Sequence, residues 1–390
     1  MDTTSQLPAA FRLIVTGGGT GGHTYPALTA VRTLRERLTA WGRSLDVLWI
    51  GSTDSLEAGV AEAEGIAFTA VATGKVRRAS NPLKMVSPAN VRDMARVPLG
   101  VAQARKAVAS FRPHVVLATG GYVAVPTGLA ARVCKVPLVL HEQTVRLGLA
   151  NRKLAGSASR IAVSSESTLP FLDESVRPLA VVTGNPVRPE VLTGHPEKAV
   201  SALGSGFDRA LPTVYVTGGA QGSQQINDLI GGELLWLLER ANVVHQCGPA
   251  PYEALAARAS GLPPHVAARY HLTPFVGSEL PDVLALAALV ISRSGAGTLA
   301  ELTALGKPAV FIPLASSAGN EQAHNARHLE ESGAAVALEG EVTGERLREA
   351  VGPLLDDPSR REAMAAAARA QGRPDAANRL VDVVLNAASG

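Results

Sequence analysis

The sequence predicts an α/β protein that contains two parallel sheets, each made of alternating strands and helices. Short runs rich in valine, isoleucine and leucine recur through the 390 residues with helix-sized gaps between them, which is typical of parallel strands buried on both faces. The pattern restarts at Thr213–Thr217, where a strand, a glycine loop and a helix repeat the order of the N-terminus. The length and the hydrophobic content of 46% favour two domains with large cores.

The first half of the chain is predicted to contain seven strands. Helices are expected at Leu56–Glu64 and over residues 89–111, the second with a break at Pro98, because proline lacks a backbone N–H. Another helix follows the first glycine loop, where apolar residues recur at helical spacing. The strands are predicted at Phe11–Val15, Leu45–Gly51, Ile66–Ala72, His114–Thr119, Pro137–Leu140, Arg160–Ser164 and Ala180–Thr183.

The second half repeats this organisation after Gly184–Ser205, a segment rich in glycine, proline and charge that is predicted to be a linker. Residues 358–388 are predicted to form alanine-rich helices without strands. We therefore expect an N-terminal domain over residues 1–186, a C-terminal domain over 187–365, and final helices over 366–390 that pack back on the N-terminal domain. The strands of the second half are predicted at Thr213–Thr217, Val243–Gln246, Tyr270–Val276, Leu289–Ser292 and Ala309–Pro313.

Composition narrows the class of protein. The two cysteines, Cys134 and Cys247, lack metal-like spacing, which fits a reducing cytosol without a disulfide framework. Met1–Ala10 has no basic start followed by an apolar run, so no signal peptide is expected. The longest apolar stretches, such as Leu284–Ile291, are far shorter than the ~20 residues that a membrane-spanning helix needs. The net charge of +3 is uninformative by itself.

Gly17–His23 follows the first strand and opens the first helix. Glycines let the backbone approach a ligand, and a helix N-terminus favours an anion. The spacing fits a dinucleotide site, but the acidic residue expected at the end of the second strand is absent and Asp54 comes late. No Lys-Ser/Thr follows, so a Walker loop is excluded. His23 is either a plain helix-start residue or a general base, since histidine titrates near neutral pH.

Two further glycine loops end predicted strands, at Thr119–Tyr122 and Gly218–Gly222. Each is compatible with an ordinary β–α turn, but three such loops at strand ends favour a ligand crevice. Gln221 and Ser223 can add side-chain donors to the third loop. His141-Glu142-Gln143 also ends a strand, although it lacks the spacing of a helical zinc motif.

Two polar stretches of the second half suggest a nucleotide-sugar site. In Ser292–Glu301 a strand ends, small residues turn, and a helix begins near Thr298, whose free N–H groups suit a diphosphate. Glu301 can accept hydrogen bonds from a ribose diol, or it can simply complement the helix dipole. The amides of Gly319–Asn325 are either helix caps or ligands for sugar hydroxyls.

A basic and aliphatic stretch covers residues 75–106. Eight cations stand against one acid, Asp93, and no Phe, Tyr or Trp occurs there, so base-stacking binding of nucleic acid is not supported. The stretch is either a solvated face or a surface for anionic lipid headgroups. The cations are Lys75, Arg77, Arg78, Lys84, Arg92, Arg96, Arg105 and Lys106.

The ordered set of motifs resembles the MurG family, bacterial transferases that add N-acetylglucosamine to undecaprenyl-diphospho-muramoyl-pentapeptide (lipid I). The resemblance covers residues 11–385. It rests on Gly17–His23, Ala118–Tyr122, His141–Gln143, Gly184–Arg188, Gly218–Gly222, Ser292–Glu301 and Gln322-x-x-Asn325. The family implies a GT-B fold, in which two Rossmann-like domains with parallel sheets face a deep cleft. It also implies that the protein acts in peptidoglycan synthesis at the cytoplasmic face of the cell membrane, as a peripheral membrane protein. Its expected protein partners are other cell-wall synthesis proteins.

We expect His23 to be the catalytic base, because of its predicted place at the floor of the crevice. The resemblance implies the other roles, and Tyr122, Glu142 and Asn151 would bind the acceptor lipid I. Arg188 and the backbone at Val276 would hold the uracil of UDP-N-acetylglucosamine, Glu301 its ribose and Gln322 its sugar hydroxyls. The remaining donor ligands would be Thr20, Gly21, Gly22, Thr144, Gln221, Ala296, Gly297, Thr298 and Leu299.

Two residues depart from the family pattern. Thr144 stands where the family usually has asparagine, and Ala220 stands where the third loop usually has serine. Thr144 retains one hydroxyl for hydrogen bonding, whereas Ala220 has none, so Ser223 would have to supply any lost contact. The chain has no Asp-x-Asp motif, and the expected mechanism is an inverting displacement with no metal and no cofactor.

Three alternatives share parts of this pattern. Another UDP-sugar-dependent lipid glycosyltransferase would share the donor site but not the full set of motifs. A UDP-N-acetylglucosamine 2-epimerase would release a free sugar product without a lipid acceptor. A non-catalytic UDP-sugar binding module would bind the nucleotide sugar and show no turnover.

Overall fold

The computed structural model describes residues 7–74, 96–203 and 206–389. The chain divides into two compact units. Unit 1 is Met1–Pro186 with Pro374–Gly390, and unit 2 is Val187–Arg373. Each unit is a parallel sheet with helices on both faces, so the predicted α/β class and its two Rossmann-like domains are confirmed.

Unit 1 has a seven-stranded parallel sheet in the order β3-β2-β1-β4-β5-β6-β7. Along β1 the side chains alternate between two cores: Phe11, Leu13 and Val15 enter one, while Ile14 enters the other. This explains the apolar strand sequences, because both faces of the sheet are covered. The strands are β1 (Ala10–Thr16), β2 (Ser44–Gly51), β3 (Ala67–Ala70), β4 (Val115–Ala118), β5 (Leu138–Glu142), β6 (Arg160–Val163) and β7 (Ala180–Val182).

Five helices of unit 1 precede residue 187 in the described ranges. The first glycine loop lies between β1 and α1, the second between β4 and α4, and the polar segment after Glu142 between β5 and α5. All three therefore lie at the carboxyl edge of the sheet, where ligands bind in folds of this type. The helices are α1 (Gly21–Ala40), α2 (Leu56–Ala63), α3 (Val97–Phe111), α4 (Ala124–Val133) and α5 (Leu149–Leu154).

Unit 2 has a six-stranded parallel sheet in the order β10-β9-β8-β11-β12-β13. This order repeats β3-β2-β1-β4-β5-β6 of unit 1 strand for strand, which explains the repeated sequence pattern. The strands are β8 (Thr213–Thr217), β9 (Asn242–Gln246), β10 (Tyr270–Thr273), β11 (Leu289–Ser292), β12 (Ala309–Phe311) and β13 (Val336–Ala337). The two-residue strand β13 was not predicted, because so short a run carries no periodic signal.

The helices of the second half cover both faces of this sheet, and the last one returns to unit 1. They are α6 (Pro196–Leu203), α7 (Gln224–Leu238), α8 (Tyr252–Ala259), α9 (Pro264–Ala267), α10 (Leu280–Leu286), α11 (Ala296–Leu305), α12 (Glu321–Glu331), α13 (Gly344–Asp356), α14 (Pro358–Gln371) and α15 (Ala376–Ser389). The apolar face of α15 joins the core beside α1, and Asp382 lies 2.7 Å from Arg37. The chain returns to unit 1 at Pro374 rather than at residue 366.

One local prediction is corrected. The predicted linker Gly184–Ser205 contains a 3-10 turn at Pro189–Thr193 and the helix α6. Ala199 of α6 is fully buried, so packing outweighs the proline- and glycine-rich composition. Pro98, where a break was predicted, occupies the first turn of α3, which tolerates proline because its N–H groups have no partner within the helix. Residues 89–95 of that predicted helix lie outside the described ranges.

Candidate active site

The first two glycine loops of unit 1 pack directly on each other. The N–H of Gly18 donates to the carbonyl oxygen of Gly120 at 3.4 Å. Gly121 has φ +80°, and a Cβ there would lie 2.3 Å from the carbonyl oxygen of Gly18. Thr119 completes the junction, because its hydroxyl donates to the carbonyl oxygen of His23 at 2.8 Å. Glycine is required at residue 121 by this close approach of two backbones.

Glu57, on α2, supports the first loop from behind. Its side chain is fully buried, and its carboxylate accepts hydrogen bonds from the Gly19 N–H at 3.1 Å and the Ser52 N–H at 3.2 Å. The Ser52 hydroxyl donates to the same carboxylate at 3.1 Å. Burial opposes ionisation, but the hydrogen bonds from Gly19 and Ser52 outweigh it and hold the pKa of Glu57 below its usual value. Glu57 therefore supports the first glycine loop as an ionised carboxylate. No motif in the sequence indicated this role.

His23 lies in the first turn of α1 with its ring half-buried. Its Nδ1 is 3.0 Å from Oε1 of Gln143. The amide nitrogen of Gln143 lies 2.8 Å from the carbonyl oxygen of Thr119 and 2.9 Å from Nδ1 of His141. His141 is fully buried, and its Nε2 lies 3.1 Å from the carbonyl oxygen of Gly184. Residues from four of the sequence motifs therefore meet in one hydrogen-bonded chain.

The predicted acceptor residues Glu142 and Asn151 bind each other. Both are 2% exposed, and the Asn151 amide nitrogen donates to Glu142 Oε2 at 2.9 Å. The same carboxylate accepts from the Gly148 N–H and from the N–H and hydroxyl of Thr144. Glu142 thus holds the loop after β5. Among the described residues, the side-chain oxygen Oδ1 of Asn151 is buried and has no hydrogen-bond partner.

Tyr122 and Thr144, the other predicted contacts in unit 1, lie on the two loops already described. The Tyr122 ring is half-buried, and a Cβ on Gly19 would lie 3.0 Å from its edge. The Thr144 hydroxyl lies 2.8 Å from Glu142 Oε1 and 2.8 Å from the carbonyl oxygen of Arg146. Thr20 and Gly22 are exposed, with Thr20 at the N-cap of α1. Their predicted substrate contacts remain predictions.

Arg188 and Glu301, the predicted uracil and ribose ligands, form an ion pair in unit 2. Nη2 and Nε of Arg188 each lie 2.8 Å from Glu301 Oε1. The Glu301 side chain is 17% exposed. Burial raises the pKa of Glu301, and the Arg188 guanidinium opposes that rise. Unit 2 therefore brings together two of the predicted donor residues that are far apart in the sequence.

Arg293 connects three loops at the carboxyl edge of the second sheet. Its guanidinium donates to the Ser223 hydroxyl at 2.7 Å, to Gln225 Oε1 at 3.0 Å and to the carbonyl oxygens of Ile312 and Pro313. Arg293 lies within the predicted site segment Ser292–Glu301, and the sequence pattern gave it no role. In the sequence, Arg293 is a single cation within a run of small residues. That pattern does not show whether the side chain binds a ligand or holds the surrounding loops.

The helix α11 begins at Ala296, with Gly295 as its N-cap, so the predicted diphosphate ligands Ala296–Leu299 form its first turn. Ser294, which precedes it, is fully buried and donates to the carbonyl oxygen of Gln322 at 2.8 Å. The Gln322 side-chain oxygen accepts the N–H of Leu314 at 3.0 Å. Gln322 is therefore held next to the start of α11.

Gln246 of β9 organises the region of the predicted uracil contact. Its Oε1 accepts the N–H of Val276 at 2.9 Å, so that N–H already has a partner within the protein. Its amide nitrogen lies 3.0 Å from the Thr217 hydroxyl and 3.0 Å from the carbonyl oxygen of Gly219. Gln221 of the same third loop is exposed. Gln246 was missed because it is the last residue of a strand and belongs to no loop motif.

Two negative findings apply to the described ranges of the chain only. Within residues 7–74, 96–203 and 206–389, no group of three or more His, Cys, Asp or Glu side chains is arranged to hold a metal ion. In the same ranges, no helix is both long enough and apolar enough to cross a membrane.

Two family models match the chain. The Glycosyltransferase family 28 N-terminal domain matches residues 13–163, and the Glycosyltransferase family 28 C-terminal domain matches residues 213–380. The first match spans the glycine loops of unit 1, and the second spans the predicted donor residues from Gln221 to Gln322.

Curated relatives match over nearly the whole chain. A protein of Halothermothrix orenii is 34% identical over 384 residues, which cover 97% of this chain and all of the relative. A protein of Halalkalibacterium halodurans is 36% identical over 374 residues, covering 95% of this chain and 97% of the relative. Both are named UDP-N-acetylglucosamine--N-acetylmuramyl-(pentapeptide) pyrophosphoryl-undecaprenol N-acetylglucosamine transferase.

Solved structures agree with the fold. The crystal structure of Acinetobacter baumannii MurG matches with a TM-score of 0.74 at 25% identity, covering 96% of this chain and 99% of that one. A UDP-GlcNAc 2-epimerase from Neisseria meningitidis, bound to UDP-GlcNAc, matches with a TM-score of 0.65 at 16% identity, covering 97% and 100%. The second likeness shows a shared fold alone.

Proposed function

Because this chain belongs to the MurG family of glycosyltransferase family 28, we propose that it transfers N-acetylglucosamine from UDP-N-acetylglucosamine to lipid I. The product is lipid II, the disaccharide-linked precursor of peptidoglycan. The observation that carries the proposal is 34% identity over 97% of this chain and 100% of a relative named for this reaction. The structural likeness to a 2-epimerase, at 16% identity, does not support an epimerase reaction for this chain.

The proposed reaction is one direct displacement. The 4-hydroxyl oxygen of the muramoyl sugar forms a bond to C1 of N-acetylglucosamine, while the bond from C1 to the diphosphate oxygen breaks. The hydroxyl proton moves to Nε2 of His23, and the electron pair of the broken bond leaves with UDP. An α-linked donor thereby gives a β-linked product. The half-buried ring of His23, held through Nδ1 by Gln143, supports this role.

Unit 2 is proposed to bind the nucleotide. The first turn of α11 presents backbone N–H groups and partial positive charge, which suit the diphosphate and the charge that develops on UDP. Arg188 and Glu301 are proposed to bind the uridine, and Gln322 the sugar. No metal ion is assigned to this step, so we expect transfer to continue in excess EDTA; abolition by EDTA with rescue by Mg²⁺ would refute that expectation.

The decisive experiment incubates the protein with labelled UDP-N-acetylglucosamine and a lipid I analogue, and measures disaccharide-lipid and UDP together. Equal amounts of the two products are expected. A free sugar product without acceptor would identify an epimerase, and binding without turnover would identify a binding module. Transfer to a different lipid acceptor in preference to lipid I would identify another lipid glycosyltransferase.

His23→Ala tests the base. We expect a loss of roughly 10²–10⁴-fold in kcat, the usual contribution of a general base. His114→Gln is the matched control, because His114 lies in the same unit and accepts a hydrogen bond from the Arg12 N–H. Near wild-type kcat of His23→Ala at saturating acceptor would remove His23 from this role.

We also propose that the protein works at the cytoplasmic face of the membrane, attached through its basic and aliphatic stretch. Most of that stretch, including Lys75, Arg77, Arg78, Lys84 and Arg92, lies outside the described residues. The support is therefore the sequence itself, in which cations alternate with aliphatic residues. Other cell-wall synthesis proteins are proposed as partners on family grounds only.

A further inference from the structure

We propose that Gln143 is a positioning residue for His23. It holds the imidazole in the tautomer protonated at Nδ1 and leaves Nε2 free to take the proton of the substrate hydroxyl. This rests on the proposed function, in which His23 is the base. The hydrogen-bonded chain that imposes the tautomer begins at Gly184 and passes through His141. All of its members belong to unit 1.

The proton position of His141 is determined by its surroundings. Its Nε2 lies 3.1 Å from the carbonyl oxygen of Gly184, which can only accept, so Nε2 carries a hydrogen. Burial lowers the pKa of His141 to about 4, so the ring is neutral near pH 7. A neutral imidazole has one N–H, and Nδ1 of His141 is therefore an acceptor.

The orientation of the Gln143 amide follows from three acceptors around its nitrogen. They are the carbonyl oxygen of Thr119 at 2.8 Å, Nδ1 of His141 at 2.9 Å and the carbonyl oxygen of His141 at 3.1 Å, so both hydrogens are used. Flipping the amide would place its oxygen against these acceptors. Because the side chain is only 5% exposed, water does not readily relieve such a clash. Oε1 is thus directed at His23.

The last link determines the state of His23. Gln143 Oε1 can only accept, and it lies 3.0 Å from Nδ1, so His23 donates from Nδ1. The neutral ring then has its lone pair at Nε2, as a general base requires. The same hydrogen bond persists after Nε2 takes up a proton, because Nδ1 keeps its hydrogen. The chain therefore fits both states of the proposed base.

The first test reads the tautomer directly and needs no substrate. Protein with ¹⁵N-labelled histidine rings is examined at neutral pH by long-range ¹H–¹⁵N correlation spectra, with His23→Gln and His114→Gln variants to assign the signals. We expect the Nδ1–H pattern for His23. His114 is an internal reference for the opposite tautomer, because its Nδ1 accepts the Arg12 N–H at 2.9 Å. An Nε2–H pattern for His23 would overturn the proposal.

The second test uses Gln143→Met, which keeps the side-chain length and removes both the acceptor and the donors. We expect His23 to lose its preference for Nδ1–H while His114 is unchanged. The expected loss in kcat is about 10- to 100-fold, part of the contribution of a general base, with the KM for UDP-N-acetylglucosamine changed far less. Gln371→Met, at the exposed end of α14, controls for the substitution.

The outcomes separate this proposal from the proposed function. A fall in kcat without a change of tautomer would mean that Gln143 has a merely structural role, and would overturn the proposal. An unchanged tautomer with unchanged kcat would do the same. If Gln143→Met does not fold, the spectrum of the unsubstituted protein still decides. Failure of the unsubstituted protein to make lipid II would refute the proposed function, while the tautomer of His23 stays measurable without substrate.

Discussion

Arg188 and Glu301 neutralise each other in unit 2, with two guanidinium nitrogens each 2.8 Å from one carboxylate oxygen. They are 113 residues apart in the sequence, and both are proposed to bind uridine. Without the donor, each therefore serves as the partner of the other. Burial raises the pKa of the partly buried Glu301, and the Arg188 guanidinium opposes that rise.

Glu301→Gln should weaken donor binding. The amide keeps the shape of the side chain but loses a charged acceptor, so we expect the KM for UDP-N-acetylglucosamine to rise by about tenfold, the effect of losing roughly 1.4 kcal/mol. Initial rates at saturating acceptor measure this change. Glu331→Gln, an exposed glutamate on α12, is the control and should leave KM as it is. An unaltered KM in Glu301→Gln would exclude Glu301 from the donor site.

Gly120→Ala should damage catalysis through His23. Gly120 has φ +105°, and a Cβ there would lie 3.1 Å from Cε1 and Nδ1 of the His23 ring. The methyl group therefore strains the loop and displaces the imidazole, and we expect kcat to fall by at least about tenfold. Gly42→Ala separates the two causes, because Gly42 has φ +68° but no atom within 4 Å of its Cβ position. It should lower stability by about 1–2 kcal/mol and leave kcat unchanged; equal kcat losses in both variants would contradict the steric explanation.

Glu57→Ala should destabilise unit 1. The substitution leaves the N–H groups of Gly19 and Ser52 without their buried partner, which costs about 1–3 kcal/mol. Urea unfolding followed by circular dichroism measures the loss. Glu62→Ala, at an exposed residue of the same helix, should cost much less. If the two variants unfold at the same urea concentration, Glu57 is not the support that its contacts indicate.

His245 should make unit 2 less stable in acid. Its ring lies between Tyr270 and Asn227, and burial lowers its pKa from 6.5 to about 4. Between pH 6.5 and 4, His245 binds a proton in the unfolded chain but not in the folded chain. The free energy of unfolding therefore decreases as the pH falls through this range, by at most about 3 kcal/mol. Urea unfolding at pH 7 and pH 5 tests this. His245→Gln should show a weaker decrease than the exposed control His265→Gln; identical pH dependence of the two would refute the assignment.

Alanine at Arg77, Arg78 and Lys84 should weaken binding to vesicles that contain anionic lipid, by about 1 kcal/mol for each cation near the surface. Co-sedimentation at low and high salt measures the effect, which should shrink as salt screens the charges. Alanine at Arg258, Arg269 and Arg346, in unit 2, is a charge-matched control. Equal vesicle binding by the two triple variants would argue against the basic stretch as the membrane surface.

The fold class was predictable because its signal is local. Apolar strands such as Leu13–Val15 with helix-sized gaps require a parallel sheet covered on both faces, and the repeat of that pattern requires a second one. The two strands around the first helix were predicted closely for the same reason. The helix α6 was missed, because the burial of Ala199 depends on packing that composition does not express.

The motifs identified the family, but not the partners of each side chain. The resemblance implies that Glu142 and Asn151 bind the acceptor, which stays a prediction. The structure adds that both are buried and hydrogen-bonded to each other. The sequence did not reveal three supporting residues, because their roles depend on contacts that form only in the folded chain. They are Glu57, Gln246 and Arg293. A buried glutamate in a helix resembles any other helical glutamate in the sequence until its donors are known.

The sequence by itself determined that this is a two-domain α/β protein of the MurG family, since periodicity and ordered glycine loops are properties of the chain. Only the tertiary structure decided which polar side chains face each other. Nδ1 of His23 meets Gln143, 120 residues away in the sequence, because β1 and β5 end at the same edge of one sheet. The direction of this hydrogen bond depends on the distance between the two side chains and on their burial. Both are properties of the folded chain and cannot be read from the order of residues.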